Sequence, residues 1–344
     1  MPSQNYTVDN PQADALIREL VDLCANSSSG DLLREILTTV VKLGMEHDNT
    51  GDYKLVNTTL KELRHAMRIF SPYRKTRKVC IFGSAQTDPS DACYQMARQL
   101  SENLVDKGFM VITGAGPGIM AAANQGAGKE NSFGINIELP YEQGSNPYIA
   151  GDPKLMTFKY FFTRKLMFIK ESSATVLFPG GMGTQDEGFE TLTLFQTGKC
   201  MPRPIVLVEP ENGTYWQNWV DYLKTEMLGR GYISPEDLSL FHRVTSVEKA
   251  LEHILEYYKV YHSLRYVRGQ TVLRLNKEVS PKLLDRLNRE FRGILSKGEF
   301  KSSGPLEDEV RNDEYPDLPR LAFNFDKKSF GRLNQMIRMI NRSS

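Results

Sequence analysis

From Lys78 onward the sequence alternates short apolar runs with longer stretches of helical periodicity. The runs VCIF, FMVIT and FGINIEL come first, and ATVLF and PIVLV follow further along the chain. Runs with apolar residues on both faces are typical of strands whose two faces are both buried. Strands that are separated by helices favour a parallel sheet covered by helices on both sides. The sequence therefore predicts an α/β protein with a Rossmann-like, doubly wound parallel sheet.

Two further regions flank this core. Before it, apolar residues spaced three and four apart, such as Leu60, Leu63 and Met67, predict helices. After it, the strand-like runs TVLRLN and RLAFNF are each followed by an amphipathic helical segment. We expect three parts, a helical N-terminal extension over residues 1–74, a Rossmann-like domain over 75–262, and a small α+β accessory domain over 263–344.

A polar loop is expected between the two strand-like runs of the accessory domain, over Lys297–Asp317. Its segment Leu306–Asp317 has six carboxylates among twelve residues. Such a segment should be solvated and mobile. The accessory domain has no glycine-rich loop, so we expect it to modulate activity or assembly and to contribute no catalytic residue.

The charge balance indicates whether the protein attracts a charged partner such as a nucleic acid. With 43 Lys and Arg against 42 Asp and Glu, the formal net charge is +1, and no overall field exists to attract a nucleic acid. The N-terminus lacks the pattern of a signal peptide, and no apolar run approaches the roughly 20 residues that a membrane helix needs. We expect a cytoplasmic protein that binds neither nucleic acid nor membrane.

Metal and disulfide chemistry find no support in the sequence. The four cysteines stand far apart without a CxxC pair, and we interpret them as buried thiols of a reducing compartment. The five histidines have neither H-x-x-x-H nor HExxH spacing. We predict no metal site and no cofactor.

The segment after ATVLF is the most informative part of the chain. It reads PGGMGT and leads from a buried strand directly into a helix. Three glycines in four positions let the backbone bend closely around a ligand, and the first N–H groups of the helix favour an anion. The alternative is a tight turn, for which one glycine usually suffices. We therefore predict that Gly180, Gly181, Gly183 and Thr184 bind a phosphate.

Two carboxylates follow on the same helix. Glu187 and Glu190 are three residues apart and so share one face near the mouth of the loop. Acids in a first turn often only complement the helix dipole. An acid one turn from a phosphate site can also reach the sugar of a bound nucleotide.

A second glycine-rich loop, GAGPGIM, also joins a strand to a helix. Gly116, Gly118 and Ala121 fit the form G-x-G-x-x-A of the dinucleotide fingerprint, and Glu138 follows near the end of the next strand. This pattern supports a rival function, a nicotinamide-dependent dehydrogenase. The fingerprint normally follows the first strand of the sheet, whereas here a complete strand and helix precede it.

Two weaker signals complete the set of candidate residues. Gly83 and Ser84 follow the first strand and fit either ligand contact or a plain turn. Arg164 and Lys165 lie in a predicted helix just before the ATVLF strand. Exposed Arg–Lys pairs are usually solvated, but their position just before the glycine loop favours a role at the site.

Together, PGGMGTQDE ending at Glu187 and the upstream pair Arg164 and Lys165 resemble the PGGxGTxxE signature and RK element of the LONELY GUY (LOG) family. The FGS and GAGPGIM loops and the segment LFQTGKCMPRPIVLV extend the resemblance over about residues 75–262. Members are sometimes labelled lysine decarboxylases, and nothing in this sequence supports that label. The departures are GAGPGIMAA, where the family often has GGGxxGLMG, and the two terminal extensions.

The resemblance implies phosphoribohydrolase activity on cytokinin riboside 5′-monophosphates or AMP, and a homodimer or larger homo-oligomer. It makes Arg164 and Glu187 the catalytic pair and assigns the phosphate to the PGGMGT loop. Because breaking an N-glycosidic bond builds positive charge on the sugar, the chemistry itself calls for a carboxylate near the anomeric carbon. A dehydrogenase and a nucleotide-binding carrier or sensor without turnover remain the alternatives.

Overall fold

The computed structural model describes residues 6–24, 29–46, 49–140, 144–306, 309 and 315–343. It divides into two compact units, Met1–Lys61 and Glu62–Ser344. The three-part division expected from the sequence remains a prediction. None of the helices in the described ranges is long and apolar enough to cross a membrane.

The first unit is helical, as expected. Helices α1 (Pro11–Cys24) and α2 (Gly30–Glu46) lie in it, and α3 (Thr50–Phe70) begins in it and ends in the second unit. Val8, Ile17 and Val21 form a small buried cluster, against which Ala13, Leu33 and Leu37 pack.

The second unit is built on a seven-stranded sheet in which every neighbouring pair is parallel. Its strands are β1 Lys78–Phe82, β2 Met110–Thr113, β3 Ser132–Ile137, β4 Leu155–Phe158, β5 Ala174–Leu177, β6 Ile205–Val208 and β7 His242–Val244. The order across the sheet is β4-β3-β2-β1-β5-β6-β7. The predicted parallel sheet is confirmed. The edge strands β4 and β7 were not predicted, because their sequences lack a continuous apolar run.

Helices cover both faces of this sheet. They are α4 Ala92–Asp106, α5 Ile119–Ala127, α6 Phe161–Glu171, α7 Met182–Gln196, α8 Tyr215–Tyr222 and α9 Val247–Tyr257. Val79 and Ile81 of β1 lie in one buried apolar cluster, with residues of α4, α5 and α9. Cys80 and Phe82, from alternate positions of the same strand, lie in a second cluster, with residues of α6 to α8. The alternation confirms that the strand is buried on both faces.

The strand order fixes where a ligand site can form. The chain builds outward from β1 to β4 and then crosses to β5, on the other side of β1. In a doubly wound sheet the crevice lies at this point of reversal, beyond the carboxyl ends of the strands. The loops that follow Phe82 and Leu177 are therefore neighbours.

A second, four-stranded antiparallel sheet follows, in the order β10-β11-β9-β8. Its elements are β8 Tyr261–Val267, β9 Gln270–Leu275, α10 Pro281–Glu290, β10 Leu295–Ser303, β11 Arg320–Phe325 and α11 Phe330–Arg342. This confirms the small α+β arrangement. The predicted loop was wrong over 297–303, which belongs to β10. That strand lies at the sheet edge and buries only Phe300 fully, so its sequence lacks the apolar alternation of an inner strand.

The acidic segment was also predicted incorrectly at one position. Glu309 is buried, with a side chain only 3% exposed, and its carboxylate lies between two buried arginines. Arg274 Nη2 is 3.1 Å from Oε1, and Arg320 Nε is 3.2 Å from Oε2. Asp317 is exposed. The other four acids, Glu307, Asp308, Asp313 and Glu314, lie outside the described residues.

The cysteines differ in part from the expectation. All four are free thiols, but only Cys80 is buried, whereas Cys24 is exposed and Cys93 and Cys200 are half-buried. Cys24 is the last residue of α1.

We predict that Glu309→Ala lowers the free energy of unfolding by about 3 kcal/mol, because it takes a shared carboxylate away from two buried guanidinium groups. Urea unfolding followed by circular dichroism measures the change. Glu299→Ala is the matched control, since Glu299 is an exposed acid on β10 whose ion pair with Lys301 is largely solvated. Equal stability of the two variants would contradict the structural role of Glu309.

Candidate functional site

Three loops meet at the carboxyl end of the sheet and are joined by backbone hydrogen bonds. Ser84 N donates to Pro179 O at 3.0 Å, and Ile119 N donates to Ser84 O at 3.0 Å. Phe178 N donates to Phe82 O at 2.8 Å just below them. The loops after β1, β2 and β5 therefore form one connected surface.

Two glycines make this close approach possible. Gly118 has a φ of +63°, and a Cβ there would lie 2.2 Å from Ser84 O. A Cβ on Gly180 would lie 2.2 Å from Thr184 Oγ1 and 2.8 Å from Ser84 N. Both distances are far below van der Waals contact, so a larger residue would push the loops apart.

The start of α7 offers backbone donors. Thr184 N and Gln185 N both donate to Gly181 O at 3.1 Å. Among the described residues, the N–H groups of Met182 and Gly183 have no protein acceptor, and no side chain caps the helix. A Cβ on Gly181 or Gly183 would meet nothing within 4 Å, so the space beside these two glycines is open. This arrangement favours an anion.

A cavity of about 410 Å³ lies in front of this helix start. The sequence-predicted residues that line it are Gly83, Ser84, Arg164, Gly181, Gly183, Thr184 and Glu187. Phe82, Gln86, Met120, Phe161 and Asp186 also line it and were not predicted. The cavity thus combines polar groups at α7 with apolar side chains from the other loops.

Glu187 presents a buried carboxylate to this cavity. The residue is only 6% exposed, one turn into α7. Within the described part of the chain its carboxylate accepts no hydrogen bond and forms no ion pair within 4.0 Å. Burial raises the pKa of Glu187 to about 7, although the nearby positive charges of Arg164 and Lys165 act to lower it. A carboxyl group with this pKa can exchange its proton near neutral pH.

Arg164 reaches the same cavity from α6. Its Nε donates to Ile135 O at 3.0 Å, and the guanidinium carbon lies 5.2 Å from the centre of the Phe168 ring. Gly114 makes room for it, since a Cβ there would lie 2.7 Å from Arg164 Nη2. Burial lowers the pKa of Arg164, but the group keeps its charge. That charge faces the cavity beside Glu187 without a direct ion pair between them.

Lys165 and Glu190 bind each other at the side of the cavity. Lys165 Nζ lies 3.0 Å from Glu190 Oε2 and 2.9 Å from Asp186 Oδ1. These contacts join α6 to α7, the two helices that carry Arg164 and Glu187. Lys165 and Glu190 therefore hold the two helices in register, and neither is a lining residue of the cavity.

Tyr215 supports the glycine loop from outside the predicted motifs. Its hydroxyl donates to Gly180 O, and Gln185 Nε2 donates to the same hydroxyl at 2.6 Å. Tyr215 begins α8, a whole strand and helix after the loop, so no local pattern in the sequence connects the two.

The second glycine-rich loop is partly closed by a later segment of the chain. Asn146 N donates to Ala115 O at 2.8 Å, and Asn146 Nδ2 donates to Gly116 O at 3.0 Å. Gly116 and Gly118 do not line the cavity, and Gly118 serves to pack the loop against Ser84. Glu138 is exposed and likewise lies away from the cavity. The loop follows β2, which lies one strand from the point of chain reversal.

The fold and the site define a Rossmann-like α/β protein with a glycine-rich loop at a helix start, and a part of the chain matches a known family. Residues 119–254 match the family described as possible lysine decarboxylase. The cytokinin riboside 5′-monophosphate phosphoribohydrolase LOG3 of Arabidopsis thaliana is 22% identical over 186 residues, which cover 53% of this chain and 84% of that protein. LOG1 of the same plant matches with the same identity and coverage. The chain therefore contains a LONELY GUY family domain over residues 119–254.

Solved structures also match parts of the chain. The molybdenum cofactor binding protein of Rippkaea orientalis is 18% identical, with a TM-score of 0.37, over 52% of this chain and 94% of that one. The DNA processing protein A of Streptococcus pneumoniae is 12% identical, with a TM-score of 0.33, over 74% of this chain and 99% of that one.

We predict that Gly180→Ala lowers the free energy of unfolding by about 2 kcal/mol, because the added methyl group overlaps Thr184 and the Ser84 amide. Gly181→Ala is the matched control, since its Cβ meets nothing within 4 Å and its φ of −83° suits any residue. Thermal and urea unfolding of both variants measure the difference. Equal losses would show that the packing at Gly180 is not what holds the loops together.

Proposed function

We propose that this protein hydrolyses the N-glycosidic bond of nucleoside 5′-monophosphates, such as AMP or cytokinin riboside 5′-monophosphates, to a free base and ribose 5-phosphate. One observation carries the proposal. The start of α7 presents the amide of Gly183 and, one turn later, the buried carboxylate of Glu187 to a single cavity, and neither group has a hydrogen-bond partner within the described residues. The names of the Arabidopsis relatives support the same reaction class.

The phosphate would bind at the α7 amides. Backbone N–H groups at a helix start are already oriented, so they bind a phosphate without the entropy loss of ordering long side chains. With the 5′-phosphate fixed there, the ribose extends along the first turn of α7 and brings its anomeric carbon towards Glu187. The apolar side chains of Met120 and Phe161, which also line the cavity, offer a surface for the base.

Glu187 would then act on the sugar. As the bond between C1′ and the base nitrogen breaks, its electron pair leaves with the base and positive charge develops on the ring. The Glu187 carboxylate stabilises that charge and accepts a proton from the water that forms the new C1′–O bond. The departing base takes up a proton from solvent, so the overall change is addition of one water.

Arg164 would orient the phosphate and sugar, and its charge keeps a part of Glu187 ionised at neutral pH. No cofactor is required for this chemistry. We further propose that the protein works in the cytoplasm as a homodimer or larger homo-oligomer, with the nucleoside monophosphate as its small-molecule partner.

We predict that Glu187→Gln lowers the rate of AMP hydrolysis by roughly 10²–10³-fold, because it removes charge at the reacting carbon. Nucleotide binding should persist, since the α7 amides are unchanged. Glu248→Gln is the matched control, an exposed acid in the first turn of α9. Free adenine measured by chromatography gives the rate, and calorimetry gives the affinity. Near wild-type turnover in Glu187→Gln would remove Glu187 from the mechanism.

We also predict that nucleoside 5′-monophosphates are cleaved far faster than the corresponding nucleosides, because the phosphate supplies the binding energy that positions the sugar. The test incubates the protein with AMP and with adenosine and measures adenine together with ribose 5-phosphate or ribose. Equal rates for the two would contradict the phosphate assignment. AMP that binds without release of adenine would instead indicate a nucleotide carrier.

A further inference from the structure

The helix that carries Arg164 has no cap of its own. Tyr160 occupies the N-cap position of α6, and its side chain makes no capping hydrogen bond. An α-helix leaves its first N–H groups without partners, and a negative charge near them is stabilising. A carboxylate from another part of the chain lies beside this helix start.

That carboxylate belongs to Glu62 of α3. Its Oε1 accepts a hydrogen bond from Lys159 N at 2.6 Å, and its Oε2 accepts one from Thr163 Oγ1 at 2.5 Å. Thr163 is fully buried and lies directly before Arg164. One carboxylate thus holds the backbone before α6 and the first turn of the helix at the same time.

The support for Glu62 is rigid. Ala66 and Phe70 lie one and two turns further along α3, and both are buried in the same apolar cluster as Met167 and Phe168 of α6. The Phe70 ring stacks on Phe133 of β3, with ring centres 4.5 Å apart. This end of α3 is therefore fixed to the sheet and offers Glu62 as a defined anchor.

The first turn of α6 is also the turn that enters the cavity. Phe161 and Arg164 both line it, and Arg164 N donates to Tyr160 O at 3.3 Å. The side chain of Arg164 is fixed further out by Ile135 O. A shift of this turn would move the guanidinium group relative to Glu187.

We propose that Glu62 is a positioning residue for the hydrolysis, and that it acts by fixing the first turn of α6 and so the placement of Arg164. The inference rests on the proposed function. It gives the last helix of the N-terminal region a role at the reacting site.

The test is a double-mutant cycle in the full chain. Glu62→Ala should lower kcat/KM for AMP by about 10-fold in the wild-type background, because small displacements of orienting groups cost rate steeply. In the Arg164→Lys background the same change should lower kcat/KM by less than about twofold, since the group that Glu62 positions is already altered. Arg64→Ala, an exposed change on the same helix, is the control and should leave both rates unchanged.

Hydrogen exchange gives a second readout that does not depend on hydrolysis. Glu62→Ala should speed exchange of the Lys159 amide and of the first turn of α6, and Arg64→Ala should not. Thr163→Val keeps the volume and removes one of the two hydrogen bonds, so it replaces Glu62→Ala if that variant fails to fold.

Two results would overturn the inference. Equal losses in the wild-type and Arg164→Lys backgrounds would show that Glu62 acts on folding alone, and unchanged exchange at residues 159–164 would show that it does not hold the turn. A wild-type protein that releases no adenine would instead refute the proposed function, and the exchange data would still decide whether Glu62 fixes α6.

Discussion

The site depends on two hydrogen bonds that the backbone of Ser84 makes to the neighbouring loops. Its N–H donates to the loop after β5, and its carbonyl accepts from the start of α5. Both bonds exist only because Gly118 and Gly180 carry no side chain where these loops touch. The parallel sheet brings the loops near each other, and these two hydrogen bonds hold them in contact. The lining residues in the loops after β1 and β5 are placed relative to this junction.

Two buried glutamates of the core illustrate how a structural carboxylate differs from a candidate catalytic one. Glu209 is fully buried after β6, and it accepts hydrogen bonds from Trp216 N at 3.0 Å, Gln217 N at 3.2 Å and Arg243 Nε at 2.6 Å. Its charge is satisfied by the helix start of α8. Glu187 is nearly as buried and has no such donors among the described residues. Burying a carboxylate without partners costs stability, and proteins keep such groups mainly at functional sites.

The sequence predicts the parts of the site that lie in one segment. Gly181, Gly183, Thr184 and Glu187 lie within one short segment at a strand-to-helix turn, so their proximity follows from local structure. Arg164 came from the family resemblance, because a basic residue on a helix fits a solvated surface equally well.

Contacts between distant segments could not be predicted. Tyr215 and Glu62 each hold part of the site from elements far away in the chain, and no spacing links them to it. Lys165 and Glu190 show that membership of a motif does not determine whether a residue lines the cavity. Both belong to predicted motifs, but their mutual attraction across α6 and α7 places them beside the cavity. The prediction for the acidic segment was wrong at Glu309 for a related reason, since composition does not reveal the two buried arginines that pair with it.

The pH dependence of kcat/KM for AMP tests the central claim, that the buried Glu187 carboxylate performs the chemistry. Burial raises the pKa of Glu187 to about 7, so the reactive ionised form is lost as the pH falls below that value. We expect kcat/KM to fall about tenfold per unit below pH 7 and to level off above it. The substrate phosphate ionises near pH 6, and inhibition by ribose 5-phosphate over the same range separates that effect. A rate that stays constant between pH 5.5 and pH 8 once binding is corrected would contradict the account.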